Sequence, residues 1–290
     1  MRVALVGLVM AATLALVGCG TGSSNEDVGQ GMDVTAGDVA GETAVPTDTG
    51  AKDMGDVAPV VAKCPGMPNL TGMFYRVNHM EATKPIDDLN EVWDIEIKKY
   101  WLVLIFHIIE HDEEKGTLLV EVGPAKAEAE QLADGSWDPK EFRYIEGANV
   151  PTVVMQLDGC DFTFDDPIAL DVLTPSVSIP FPVSVTSGSG RFIKKGLAME
   201  KVDLVGYIVE AATYDLCMTM DPFGQPNVHW LFNLLHLCPD LDLDGDDKLD
   251  AYEFEGWLST EITDLVVPDE TVILPSEVDE CIEDQVECEP

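Results

Sequence analysis

Between residues 150 and 185 the chain carries four short runs rich in valine, isoleucine, leucine and phenylalanine, separated by aspartate, glycine and proline. The runs span 150–157, 160–164, 168–173 and 177–185. Apolar and β-branched segments of this length, bounded by turn residues, are typical of β-strands. A further strand is expected at 69–77 and a hairpin at 100–122. The pattern predicts a mainly β fold, a sandwich or a barrel, with a few short helices.

Other segments carry different periodicities. Helices are expected within 85–99 and 227–237, where apolar residues recur at helical spacing. Residues 199–212 are expected to form two strands that meet at Gly206. The segment after residue 250 fits either a helix or a strand, but the shared parity of Tyr252, Phe254 and Leu258 favours the strand.

The densest group of acids follows the second predicted helix. Seven carboxylates lie between residues 240 and 253, against one lysine, and they would repel one another without a counter-ion. Five of them recur at a spacing that lets a tight backbone turn direct several oxygens at one Ca²⁺. These five are Asp242, Asp244, Asp246, Asp250 and Glu253.

Residues 242–253 resemble the EF-hand calcium loop, and the resemblance covers these residues and little else. It implies the following ligands: Asp242, Asp244, Asp246, the backbone carbonyl of Lys248, Asp250 and Glu253. It also implies that Leu249 anchors the loop to the core. Asp247 stands where such loops usually carry a glycine in the left-handed conformation, which aspartate tolerates at some energetic cost. The segment is similar, too, to calcium loops of extracellular modules, in which no helix follows and Asp250 matters more than Glu253.

The N-terminus has the pattern of an export signal. Met1-Arg2 precedes an apolar run over 3–17 that ends in Leu16-Val17-Gly18-Cys19. The run is shorter than the roughly 20 residues that a membrane-spanning helix needs, so it predicts a signal peptide. Its ending resembles the lipobox of bacterial lipoproteins. The resemblance implies a signal peptide over 1–18 and a lipidated Cys19 that anchors an exported protein to a membrane of the cell envelope or to the outer-membrane surface.

Composition divides the rest of the chain. Residues 19–63 contain no aromatic side chain and are expected to be a disordered acidic tether after the lipidated cysteine. A β-rich domain is expected over 64–226 and a helix with the calcium loop over 227–267. An acidic segment with a cysteine pair, Cys281 and Cys288, completes the chain over 268–290.

Charge and cysteine content limit the partners. The formal net charge is −38, which disfavours binding to nucleic acid and to anionic lipid. Seven cysteines less Cys19 leave six, an even number that suggests three disulfides in an exported protein. The sequence does not choose among the pairings, and it identifies no protein partner.

Two other functions remain open. His107, Glu110 and His111 fit the His-x-x-Glu-His pattern of a class of zinc peptidases, which requires these residues on a helix. Residues 70–74 are faintly similar to the opening of lipocalin barrels, which would imply a carrier of an apolar ligand in an open cavity. The leading hypothesis is a non-enzymatic calcium-binding lipoprotein in which the ion stabilises the fold.

Overall fold

The computed structural model describes residues 62–85, 90–173, 181–217 and 227–274. All of these fall within one compact unit, Ala58–Pro290, and the other unit, Met1–Val57, lies outside the described residues. The predicted signal peptide, Cys19, nearly all of the tether, and Cys281 and Cys288 also lie outside them.

Most of the described residues belong to strands. The strands are β1 (Phe74–Lys84), β2 (Leu104–Asp112), β3 (Thr117–Gln131), β4 (Trp137–Ile145), β5 (Thr152–Asp158), β6 (Asp161–Phe164), β7 (Ile168–Val172), β8 (Phe181–Ile193), β9 (Ala198–Val209), β10 (Ala251–Thr263) and β11 (Val266–Val272). The helices are α1 (Asn90–Lys98), α2 (Glu210–Tyr214) and α3 (Val228–Leu234), and a 3₁₀ turn spans Lys194–Gly196. The predicted mainly β fold with a few short helices is confirmed.

Eight of the strands close into a ring. Their order is β3, β2, β1, β10, β9, β8, β6 and β5, and β5 pairs back to β3. Each of these pairings is antiparallel. Strand β7 pairs with the first half of β8. Because β10 lies between β1 and β9, the predicted segments 64–226 and 227–267 share one sheet.

Strand β3 is long enough to form part of two sheets. Its first part, from Thr117 to Glu121, pairs with β5 in the ring, whereas Ala125–Gln131 pairs with β4. Strand β11 then adds to β4 in parallel. A small sheet thus extends from the ring at this point.

The main core lies within the ring. On β5 the alternation is clear, since Val153 and Met155 are buried and Thr152 and Val154 are exposed. Strand β2 is buried on both faces: Leu104 and Phe106 belong to the main cluster, and Ile105 packs with Phe142 in a second one. Burial on both faces explains why the sequence around β2 is apolar without alternation.

Residues 199–212 do not form the predicted pair of strands. Residues 199–209 lie on the single strand β9, which passes through Gly206 and ends at Val209, and residues 210–212 belong to helix α2. A Cβ atom on Gly206 would lie 2.0 Å from the carbonyl oxygen of Ser184 on β8. The glycine therefore permits close approach of two strands and does not mark a turn.

Two helix predictions and one strand prediction are confirmed. Helix α1 lies within 85–99, and α3 lies within 227–237 with Asn227 Oδ1 accepting a hydrogen bond from the Trp230 amide at 2.8 Å. The segment after the acidic loop is strand β10. Among the described residues, the helices are all too short or too polar to cross a bilayer.

The cysteines depart from the expected three pairs. Cys64 is disulfide-bonded to Cys160 across a sequence separation of 96 residues. Cys217 is also disulfide-bonded, and its partner lies outside the described residues. Among the described residues, Cys238 carries a free, exposed thiol and does not take part in the expected pairing.

Candidate metal centre

The acidic loop connects the region after α3 to strand β10, and backbone hydrogen bonds hold its two ends together. The Asp250 amide donates to the Leu241 carbonyl at 2.8 Å, and the Leu241 amide donates to the Ala251 carbonyl at 3.1 Å. Immediately after this neck, β10 pairs with β9 from Ala251, and it also pairs with β1 from Glu255. The loop is therefore a short excursion whose ends are fixed by the main sheet.

Three of the predicted ligands come together at this loop. Asp242, Asp244 and Asp246 each place a carboxylate oxygen within 4.8 Å of the other two, and all three side chains are exposed. In the part of the chain that the structure describes, this is the one group of three or more potential metal-ligating side chains. The grouping agrees with the alternate spacing of the aspartates in the sequence.

Hydrogen bonds to the loop backbone orient these carboxylates. Asp242 accepts from the Gly245 amide through Oδ1 at 2.7 Å and from the Asp247 amide through Oδ2 at 2.9 Å. Asp244 Oδ1 accepts from the Asp246 amide at 3.1 Å, and Asp246 Oδ1 accepts from the Lys248 amide at 2.9 Å. Each side chain is thus tied to the turn that follows it.

The turn itself requires unusual backbone conformations. Gly245 has φ +79° and Asp247 has φ +66°, both in the left-handed region. The prediction that Asp247 takes the left-handed conformation normally given to glycine is confirmed. Its amide reaches Asp242 in this conformation, so the strained residue contributes to the arrangement of the cluster.

The local hydrogen bonds favour the ionised form of the Asp242 carboxylate. The Gly245 amide hydrogen bond is the main cause that lowers the pKa of Asp242, and the Asp247, Asp246 and Asp244 amides act in the same direction. A lowered pKa keeps this carboxylate charged in the neutral range. The ammonium group of Lys248 lies 3.5 Å from Asp246 Oδ2 and partly balances the charge.

Asp250 has a different environment. Its Oδ1 accepts from the Leu243 amide across the loop at 3.1 Å, and its carbonyl accepts from the Glu210 amide at the start of α2 at 2.9 Å. Asp250 is not part of the three-carboxylate group. In the structure it links the loop to the adjoining helix.

Glu253 is held away from the cluster. Its Oε2 lies 2.7 Å from Nζ of Lys84 on β1, and its amide donates to Asp240 Oδ1 at 2.8 Å. A strand advances about 3.3 Å per residue, so β10 carries Glu253 away from the loop, whereas a helix would turn it back. The contact with Lys84 joins residues 169 positions apart and has no local signal in the sequence.

The EF-hand resemblance implied that Leu249 anchors the loop to the core, but Leu249 does not do so. Its side chain is 55% exposed. The neck hydrogen bonds and the Asp250–Glu210 contact hold the loop instead. The contact of Glu210 could not be predicted from the sequence, because it depends on a backbone amide and not on the side chain.

The residues of the zinc-peptidase pattern lie on strand β2. His107 Nδ1 lies 3.1 Å from Glu121 Oε2, and its ring stacks on Phe74 with centroids 4.2 Å apart. His111 Nδ1 accepts from the Leu70 amide at 3.2 Å, and burial lowers the pKa of this histidine. His107, Glu110 and His111 therefore lie on a strand, and the helix that the zinc-peptidase pattern requires is not formed at these residues.

The interior of the ring is where a carrier would hold an apolar ligand. In the described part of the chain, large side chains pack there, among them Tyr75, Phe162 and Tyr252, each almost fully buried. The opening segment around Leu70 contributes to this packing, since Leu70 itself is fully buried. The geometry therefore leaves the loop as the strongest candidate site.

Comparison of the chain with protein-family models, with curated proteins and with solved structures finds no match.

Proposed function

We propose that the loop over residues 242–250 binds one Ca²⁺, which stabilises a non-enzymatic protein anchored to a membrane of the cell envelope through a lipid on Cys19. The observation that carries the calcium proposal is the group formed by Asp242, Asp244 and Asp246, with carboxylate oxygens within 4.8 Å of one another. Calcium takes six to eight oxygen ligands in flexible geometry, and exposed carboxylates supplemented by carbonyls and waters suit it.

The proposed set of ligands differs from the set that the EF-hand resemblance implies, because it omits Glu253. The three aspartates form the core of the site, and the Lys248 carbonyl and Asp250, directly or through a water, complete it. Glu253 stays with Lys84, so the site resembles the extracellular calcium loops in which no helix follows. Loops of that type bind calcium with dissociation constants of about 10⁻⁴–10⁻³ M.

Binding would remove an electrostatic penalty. The three carboxylates lie close enough to repel one another, and a divalent ion between them replaces repulsion with attraction. Since the ion binds the folded loop and not the unfolded chain, calcium at ten times its dissociation constant adds about 1.4 kcal/mol to the free energy of unfolding.

Titration calorimetry with Ca²⁺ tests the proposal. The Asp244→Asn variant is expected to lose at least tenfold in affinity, since even groups that only orient metal ligands contribute roughly 10–100-fold. Asp134→Asn is the matched control, because Asp134 also accepts from a turn amide, that of Ser136 at 3.0 Å, but lies outside the group. Calcium should also raise the melting temperature relative to chelator.

Equal calcium affinity in the two variants, or identical melting in calcium and in chelator, would contradict the proposal. Titration with Zn²⁺ gives a separate reading, because oxygen ligands alone favour calcium over zinc. The anchor has its own test: a fatty-acid label should be incorporated in the bacterial host by the unmodified chain and lost in Cys19→Ser.

A further inference from the structure

The positive charge of this acidic protein is concentrated at one turn. Residues 191–201 contain four basic side chains and one acidic one, in a chain with 54 acids and 16 bases. Arg191 is paired with Asp161, through Nε at 2.6 Å and Nη2 at 2.8 Å. Within the described ranges, Lys194, Lys195 and Lys201 form no ion pair. The turn between β8 and β9 therefore has a positive surface of its own.

The backbone of this turn is strained and firmly held. Lys194, Lys195 and Gly196 have φ of +50°, +63° and +87° in succession. Left-handed conformations are costly for lysine and persist only where the surroundings impose them. Here the Tyr75 hydroxyl donates to the Gly196 carbonyl at 2.6 Å, and a Cβ atom on Gly196 would lie 2.9 Å from Leu70 Cδ2. The fixed turn holds both lysines at the surface.

Apolar side chains lie beside the lysines. Leu197 is 47% exposed and Ile262 is 40% exposed. The two residues are neighbours, because the Ile262 amide donates to the Leu197 carbonyl at 3.2 Å. Lys194, Lys195, Leu197 and Ile262 are called the basic turn below. A surface that combines ammonium groups with exposed aliphatic side chains matches the headgroup boundary of a bilayer.

The basic turn lies near the point where the described chain begins. A Cβ atom on Gly66 would lie 3.6 Å from Cδ of Lys195, so the lysine stem packs over this glycine. Gly66 follows the disulfide-bonded Cys64 by two residues, and Cys64 is the first residue of the predicted β-rich domain. A chain held by its N-terminal side would therefore enter the domain next to the basic turn.

We propose that the basic turn docks on the anionic headgroup surface of a lipid bilayer, with Lys194 and Lys195 at the phosphates and Leu197 and Ile262 at the acyl boundary. The net charge of the chain opposes such contact, but charges farther than about 8 Å from the surface are largely screened at physiological ionic strength. The sign of the charge on the docking face then determines whether the protein binds an anionic surface. The identity of the bilayer and the position of the basic turn beside it rest on the proposed lipid anchor, whereas the charge and the apolar side chains of the turn do not.

Vesicle co-sedimentation of the chain from residue 19 onward, carrying Cys19→Ser, tests the surface without the predicted signal peptide and without a lipid anchor. The protein should bind phosphatidylcholine vesicles that contain phosphatidylglycerol, bind poorly to those that lack it, and lose binding as salt increases. In the double variant Lys194→Asn with Lys195→Asn, partitioning should fall roughly 30-fold, from about fivefold for each lysine. Asparagine tolerates the left-handed backbone, so the turn keeps its conformation.

A charge-matched control separates the local effect from net charge. Lys126→Gln with Lys140→Gln removes the same charge from exposed positions on β3 and β4 and should leave partitioning nearly unchanged. Leu197→Ser should also weaken binding if a bilayer surface is recognised. Equal binding by the two double variants, no preference for phosphatidylglycerol, or full binding by Leu197→Ser would overturn the proposal. Loss of the fatty-acid label in Cys19→Ser tests only the lipid anchor and does not bear on the docking surface.

Discussion

Single carboxylates of the acidic segment have different partners, and the partner decides what each one can do. Asp242, Asp244 and Asp246 accept hydrogen bonds from amides of their own loop, and Asp246 also lies 3.5 Å from the Lys248 ammonium group. Each carboxylate has further lone pairs that an ion can use. Glu253 is occupied by a lysine from another strand. The left-handed Asp247 could be predicted because its conformation is set by neighbours in the loop. The Glu253 contact could not, because it depends on how two distant strands align.

Glu253→Gln tests this distinction. The variant should bind calcium within about twofold of the unmodified protein, because Glu253 Oε2 is 2.7 Å from Lys84 Nζ and outside the carboxylate group. The hydrogen bond from Lys84 to Glu253 is also the main cause that raises the pKa of this lysine. Calorimetry on the variant, with Asp244→Asn as the positive control, measures the difference. A loss in Glu253→Gln as large as that in Asp244→Asn would place Glu253 among the ligands.

At the scale of strands, sequence patterns predicted elements that are buried on one or both faces. The hairpin of β2 and β3 and the strands β5 to β7 follow the expected runs. Strand β4 was not predicted, because Asp138, Pro139 and Lys140 interrupt its apolar residues and only its last part, around Phe142, is buried. Strand β11 was missed for the same reason, since most of its side chains are exposed. The prediction that Gly206 marks a turn was wrong. A glycine can indicate either a turn or a position where another strand approaches closely, and the sequence does not distinguish the two.

Gly206→Ala should therefore destabilise the sheet and not a turn. The added Cβ would lie 2.0 Å from the Ser184 carbonyl oxygen, and two paired backbones would have to separate. The free energy of unfolding should fall by about 3 kcal/mol, the upper part of the usual range for overpacking. Gly123→Ala is the control, because its Cβ would meet the Val150 side chain at 2.9 Å, which can move. Urea denaturation should show a clearly smaller loss for the control; similar losses would contradict the role assigned to Gly206.

At the scale of the whole molecule, the ring and one disulfide connect parts of the chain that are distant in sequence. Periodicity indicated strands but could not say that β1 pairs with β10 or that β5 returns to β3, because register depends on complementary faces. The even number of cysteines suggested disulfides, yet Cys238 is free. Strand partners and disulfide partners depend on distances between elements, and local patterns in a single sequence do not report those distances.

The disulfide between Cys64 and Cys160 should contribute strongly to stability. It closes a loop over a separation of 96 residues, and in the chain-entropy account a loop of this length contributes about 4.7 kcal/mol. Urea denaturation of Cys64→Ser with Cys160→Ser should show a loss of about that size. Cys238→Ser should unfold like the unmodified protein, because that thiol is free and exposed. Indistinguishable curves for the paired and unpaired variants would refute the assignment.

The pairing of β1 with β10 also governs how the protein assembles as it leaves the ribosome. Phe74 emerges early, but its partner Thr263 follows only after most of the domain has been synthesised. In the meantime β1 has only three paired residues with β2, so a nascent chain carries a long open edge. Ring closure therefore waits until β10 is available, and until then the open edge of β1 is a place where chains can pair with one another.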